Sequence, residues 1–125
     1  MNWQPMLTFS TDQSINWETL TSRCIGRIDL VEKALDRFQQ ALVGDLEALE
    51  AAADEQNSEE VARIAHRIKG TSLTVSADRL AEIATKLEQK AEGSLQNVDE
   101  SLSDIREEYD RLTDIISQRR VGDRQ

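Results

Sequence analysis

Val61-Ala62-Arg63-Ile64-Ala65-His66-Arg67-Ile68-Lys69-Gly70-Thr71-Ser72-Leu73-Thr74-Val75 places its apolar residues at the spacing of a helix. At about 100° per residue, Val61, Ile64, Ala65, Ile68, Ser72 and Val75 fall within one arc roughly 100° wide, the buried stripe of an amphipathic helix. His66 is the only histidine of the chain. It lies about 150° from the middle of that arc and therefore toward water. Gly70, one turn further on, lies almost opposite the stripe. Lys69 sits between the two faces, and at i+3 its ammonium comes near the imidazole. Leu73 falls about 20° from His66, two turns along.

The same period extends over most of the chain. Trp17–Cys24 is expected to form a short first helix with Asn16 as its N-cap. From Ile28 to Ala53, apolar residues recur at Val31, Leu35, Phe38, Leu42, Leu46 and Leu49, one long helix despite Gly44. Asp54–Asn57 is a turn, and Asn57 with Glu60 three residues on matches a capping box for the His66 helix. Ser76 stands as the N-cap of a further helix, Ala77–Ala91, whose stripe is Leu80, Ile83, Ala84, Leu87 and Ala91. Gly93 marks its end, with Lys90 near the negative pole of the dipole. The last helix, Leu95 to Ser117, repeats Val98, Leu102, Ile105, Tyr109, Leu112 and Ile116. Four amphipathic segments with short loops give an all-α, antiparallel up-down-up-down four-helix bundle with a short additional N-terminal helix. Residues 1–14 read as a tail, 15–118 as the bundle and 119–125 as a second tail.

Composition narrows the function. The 125 residues suit one domain with a modest core. Aromatic residues make up 4% and charged residues 31%, so the core is built from Leu, Ile, Val and Ala. Pro5 is the one proline, and nothing after it forbids long helices. A net charge of -9 argues against non-specific nucleic-acid binding. No apolar run reaches a membrane span of about 18 residues or more, and the N-terminus lacks a secretory signature. Cys24 has no internal partner, which points to the reducing cytoplasm.

A lone helical histidine is ordinarily a surface residue without chemistry. Lys69-Gly70 would ordinarily end a helix, with glycine in a left-handed cap. Here the stripe runs past Gly70 to Ser72 and Val75, and a glycine inside a continuing helix costs roughly 1 kcal/mol against alanine. The missing side chain leaves room for something that approaches His66. In an acidic protein, residues 61–70 carry Arg63, Arg67 and Lys69 and no acid. Arg63 and Arg67 flank His66 on the outer half of the helix, and such a patch stabilises a phosphoryl group with about two negative charges. Leu73 suits an apolar docking surface beside the ring.

The run Ala65-His66-Arg67-Ile68-Lys69-Gly70-Thr71-Ser72, followed by Val75, Ala77, Leu80 and the Lys86-Leu87-Glu88 region, resembles the histidine-containing phosphotransfer (HPt) domain family. Those domains share the pattern Ala-His-x-apolar-Lys-Gly-Ser/Thr-Ser/Ala, and the resemblance covers roughly residues 16–117. It departs at Ser76, where the family often has glycine. The resemblance implies that His66 is the phosphoacceptor, that Lys69 holds a phosphoryl oxygen, and that Gly70 makes space for a partner's active-site loop. It implies reversible transfer between His66 and the aspartyl phosphate of response-regulator receiver domains, such as those of a hybrid sensor kinase and a downstream regulator. The chain is then a carrier and not a kinase. It has no cofactor of its own, and Mg²⁺ is expected on the receiver. No Gly-rich nucleotide loop is present. A monomer without nucleic-acid or membrane partners is expected.

Two rival readings belong to other classes. A helical adaptor would use the long stripes to bind a partner and survive the loss of His66. A bundle metalloenzyme needs Glu-x-x-His ligand pairs, but Arg63 stands three residues before His66 and no second histidine exists.

Overall fold

A computed structural model describes residues 14–96 and 98–124, with side chains through Gln118. Five helices follow one another: α1 Trp17–Arg23, α2 Ile28–Asp54, α3 Ser58–Thr74, α4 Asp78–Gly93 and α5 Val98–Arg124. There is no strand among the described residues. Helices α2 to α5 form the expected up-down-up-down four-helix bundle, each packed against the next and α2 also against α5. The most extensive contact joins α3 and α4.

The helical stripes become the core. All six apolar positions expected for α2 are buried, as are Val61, Ile64, Ala65, Ile68, Ser72 and Val75 around α3. Ile83, Leu102 and Tyr109 are half-buried at its edge. Residues 1–13 of the expected N-terminal tail lie outside the described residues, while Ser14 and Ile15 are buried.

Three of the helices stop in the same way, without glycine at the decisive position. Ile25, Gln56 and Ser76 each take a left-handed backbone, with φ of 58°, 57° and 58°. At each, two backbone bonds close over the last turn: Gly26 N–H to Thr21 O with Ile25 N–H to Ser22 O, Asn57 to Ala52 with Gln56 to Ala53, and Ala77 to Ser72 with Ser76 to Leu73. These are Schellman motifs. Ser76 therefore closes α3 and is not the N-cap of α4. That place falls to Ala77, which makes no side-chain cap bond. Gly93 likewise remains helical, and Ser94 is the extended residue that ends α4.

A left-handed backbone costs an ordinary L-residue roughly 1–2 kcal/mol. Ser76 bears that cost, and its buried Oγ has no hydrogen-bond partner. Ser76→Gly removes both burdens, against the entropy of a more flexible unfolded chain, roughly 0.5–1 kcal/mol. The sum favours glycine by about 1 kcal/mol, so thermal unfolding should shift upward by a few degrees. An unchanged or lower midpoint contradicts this balance.

Asn16 caps α1 as expected, its Oδ1 accepting from Thr19 N–H at 3.1 Å. Asn57 caps α3 through Glu60 N–H at 3.1 Å. The reciprocal half of the capping box is missing, because Arg63 takes the Glu60 carboxylate and the Asn57 N–H closes the Schellman motif on Ala52. Helix α5 begins at Val98 rather than Leu95, after a turn in which Gln96 N–H donates to Ser94 Oγ. Its backbone stays helical to Arg124, past the last apolar residue of the stripe.

The short α1 spans the end of the bundle at which α3 passes to α4. Asn16 N–H donates to Ser76 O at 2.8 Å. Arg23 Nη1 donates to Leu73 O at 2.5 Å, placing a cation on the negative end of α3.

Candidate functional site

The outer face of α3 carries the candidate residues, held from behind by the buried Ala65 and Ile68 on either side of His66 and Arg67. The His66 side chain is 69% exposed. It is fixed from the neighbouring helix: His66 Nδ1 lies 3.0 Å from Glu88 Oε2. An ionised carboxylate only accepts. Against such a carboxylate Nδ1 is the donor, and Nε2 is left without a partner among the described residues. The bond crosses from α3 to α4, the two helices packed most extensively.

Lys69 stands one turn along, half-buried, with no hydrogen-bond or ion-pair partner among the described residues. Its ammonium is free to meet an incoming anion. Gly70 is exposed in the interior of α3, and a Cβ built on it meets nothing within 4 Å. The helix continues through Thr74, so Gly70 is no cap. Nothing among the described residues requires its missing side chain. Thr71 and Ser72 return their hydroxyls to the carbonyls of Arg67 and Ile68. Leu73 remains 44% exposed two turns from His66.

The two arginines are placed as expected but are not unpaired. Arg63 forms a two-pronged bond with Glu60, at 2.8 and 2.5 Å. That bond holds the Glu60 carboxyl below its ordinary range and raises the Arg63 guanidinium. Arg67 reaches across to Asp45 of α2 at 2.7 Å. Of the three cations counted between residues 61 and 70, Lys69 alone keeps an uncommitted charge among the described residues. The surface around the imidazole is less positive than the local count suggests.

Two carboxylates that matter here carried no role in the sequence reading. Glu88 follows the buried Leu87 on α4, and only the pairing of α3 with α4 turns it toward His66. Asp45 is buried within the apolar stripe of α2, where an acid among leucines was a readable sign of a partner. A cavity of about 520 Å³ lies elsewhere, between the end of α2 and the α4–α5 connection, with Glu50, Asp54, Leu95 and Leu102 in its wall. His66, Lys69 and Gly70 do not line it.

The sequence profile of the Hpt domain matches residues 33–115. The chain belongs to the Hpt domain family. Its fold is similar to the crystal structure of the HPT domain from a sensor hybrid histidine kinase of Shewanella, with a TM-score of 0.72. The two share 12% identity over 84% of this chain and 92% of the other. No curated protein matches the chain. Hpt domains work in two-component signalling, in roles related to phosphotransfer, and interact with receiver domains. They are phosphocarriers rather than kinases. Helix α1 of this Hpt domain precedes the matched region. Among its described residues no helix is long and apolar enough to cross a membrane.

Proposed function

We propose that this Hpt domain accepts a phosphoryl group on Nε2 of His66 from the aspartyl phosphate of one receiver domain and passes it to the aspartate of another. The observation that carries this reading is the ring itself. It is exposed, its Nδ1 is occupied by Glu88, and beside it stand a bare glycine and a lysine with no partner among the described residues. In-line transfer requires the nucleophile to reach into the partner's pocket, and an imidazole protruding from a helix flank does so. Lys69 meets a non-bridging phosphoryl oxygen as charge builds. The domain acts as a monomer in the cytoplasm, without a kinase activity or cofactor of its own, and Mg²⁺ is held by the receiver. Arg63, Arg67 and Leu73 form the rim that meets the partner. The adaptor reading predicts instead that binding is the whole function.

Incubation with a panel of phosphorylated receivers tests the proposal. Acid-labile, alkali-stable label should appear on this chain. Stable complexes with receivers but no label across the panel would favour the adaptor.

Gly70 supplies a sharper check, because its two effects have opposite signs. Gly70→Gln restores helix propensity at an exposed position with open space, so the isolated domain should gain up to about 1 kcal/mol. The same side chain stands where the partner's loop must come, and transfer should slow on the order of tenfold or more. Stability by urea titration and initial transfer rates measure the two arms. A more stable domain that transfers at the original rate contradicts the access role.

A further inference from the structure

We propose that Asp45 is a positioning residue for partner recognition. It holds Arg67 as a preset hydrogen-bond fork for a carboxylate of the receiver, so that the partner's footprint crosses from α3 onto α2. The proposal rests on the phosphotransfer reading above and adds a residue and a helix to the surface that the receiver meets.

An acid is costly inside an apolar stripe. Asp45 is 8% exposed, among the buried Leu42, Leu46 and Leu49 of α2. Its Oδ1 accepts from Arg67 Nε at 2.9 Å and lies 2.7 Å from Arg67 Nη2. Desolvation offsets much of the attraction in such a pair, and replacing both members by apolar residues is often neutral or stabilising. What the pair does supply is orientation. The guanidinium is a planar fork of five N–H donors, and Asp45 occupies its Nε–Nη2 edge. Nη1 has no partner among the described residues, and the side chain is 43% exposed. Arg63 differs, because it is tied to Glu60 of its own helix in an exposed pair. Arg67 is the cation beside His66 that a buried residue of a second helix holds in place. It has already given up the side-chain freedom that docking would otherwise cost. Since Asp45 balances its charge, it offers directed donors more than long-range attraction. A carboxylate is the planar acceptor that such an edge fits.

The space around the pair points the same way. Gly44 precedes Asp45 in the interior of α2; it is exposed, and a Cβ built on it meets nothing within 4 Å. Gly70, three residues after Arg67, is alike. Glycine weakens a helix interior, and nothing among the described residues requires it at either place. One open position thus stands beside each end of the Asp45–Arg67 bond, on each of the two helices, where a partner's backbone can come close.

Charge and orientation give opposite predictions for Asp45→Leu. The variant makes the face more positive by one unit, which by charge alone favours an anionic acyl phosphate. Loss of the preset fork weakens docking instead. Single-turnover transfer is measured from a phosphorylated receiver that labels the wild type. It yields the receiver concentration for half-maximal transfer and the rate at saturation. Asp45→Leu should raise the concentration about threefold to tenfold, the size of one hydrogen bond, and keep the saturated rate within about twofold. In an Arg67→Met background the same substitution should add nothing. Gly44→Gln should raise the concentration by a similar factor without lowering the thermal midpoint. Circular dichroism checks each fold; should Asp45→Leu not fold, Asp45→Asn, which keeps an acceptor oxygen in place, should show a smaller rise of the same sign. An unchanged or lower half-saturating concentration, an equal loss in the saturated rate, or a full further loss in the Arg67→Met background overturns the Asp45 role. Wild-type docking by Gly44→Gln overturns the extension onto α2. Wild type that takes no label on His66 overturns the phosphotransfer reading, and this proposal with it.

Discussion

Replacing His66 with glutamine should abolish phosphoryl acceptance while leaving the helical bundle as stable as before. The loss is expected to be complete rather than graded, because an amide nitrogen has no available lone pair to attack phosphorus. Neighbouring hydroxyls offer no substitute. Ser72 is buried and bonded to Ile68 O at 2.7 Å, and Thr71 is bonded to Arg67 O at 2.9 Å. Glutamine keeps a polar side chain of similar reach at a mostly exposed position, so stability should move by no more than about 0.5 kcal/mol. Label transfer and thermal circular dichroism together make the measurement. Persistent label on the variant would place the acceptor elsewhere.

The opposite separation is expected two residues away. Ile68 is fully buried on the inner face of α3, and truncating it to alanine removes apolar contacts and leaves a cavity. Such substitutions cost about 2–5 kcal/mol, against a total stability of about 5–15 kcal/mol for a domain of this kind. The thermal midpoint of Ile68→Ala should fall by roughly 10 °C or more. Below that midpoint the folded fraction still presents His66, Glu88 and Lys69, so transfer per folded molecule should change little. A loss under 1 kcal/mol by urea titration contradicts the packing described for α3. Together the two substitutions divide one helix into a chemical face and a structural face.

That division was legible in the residues. Val61, Ile64, Ala65, Ile68 and Ser72 turned out buried, and His66 and Gly70 exposed, because a helical period fixes which side chains share a face before any partner is known. The helix ends were less legible. Gly70 and Gly93 are the residues that normally announce a stop, yet both are helical. The stops that do use a left-handed residue fall on Ile25, Gln56 and Ser76, where the two backbone bonds that close each last turn offset the local preference for glycine. Ser76 shows the consequence most plainly: its hydroxyl suggested a helix start, and its backbone instead closes the helix before.

The site was half readable for a related reason. A wheel relates residues within one helix, so it grouped His66, Lys69, Gly70 and Leu73. It says nothing of what a second helix contributes. Glu88 and Asp45 enter only through the pairing of α3 with α4 and of α2 with α3, and each changes the electrostatics. Asp45 and Glu60 occupy two arginines that counted as free charges in the sequence. Glu88 bonds Nδ1 of His66 and leaves Nε2 without a partner among the described residues.

The most direct test of the account is an NMR measurement on the chain with ¹⁵N-labelled histidine, phosphorylated by a phosphorylated receiver domain. A ³¹P–¹⁵N coupling to Nε2 of His66, with Nδ1 still protonated, is the predicted result. Phosphorus bound at Nδ1, or on any residue other than His66, would contradict it.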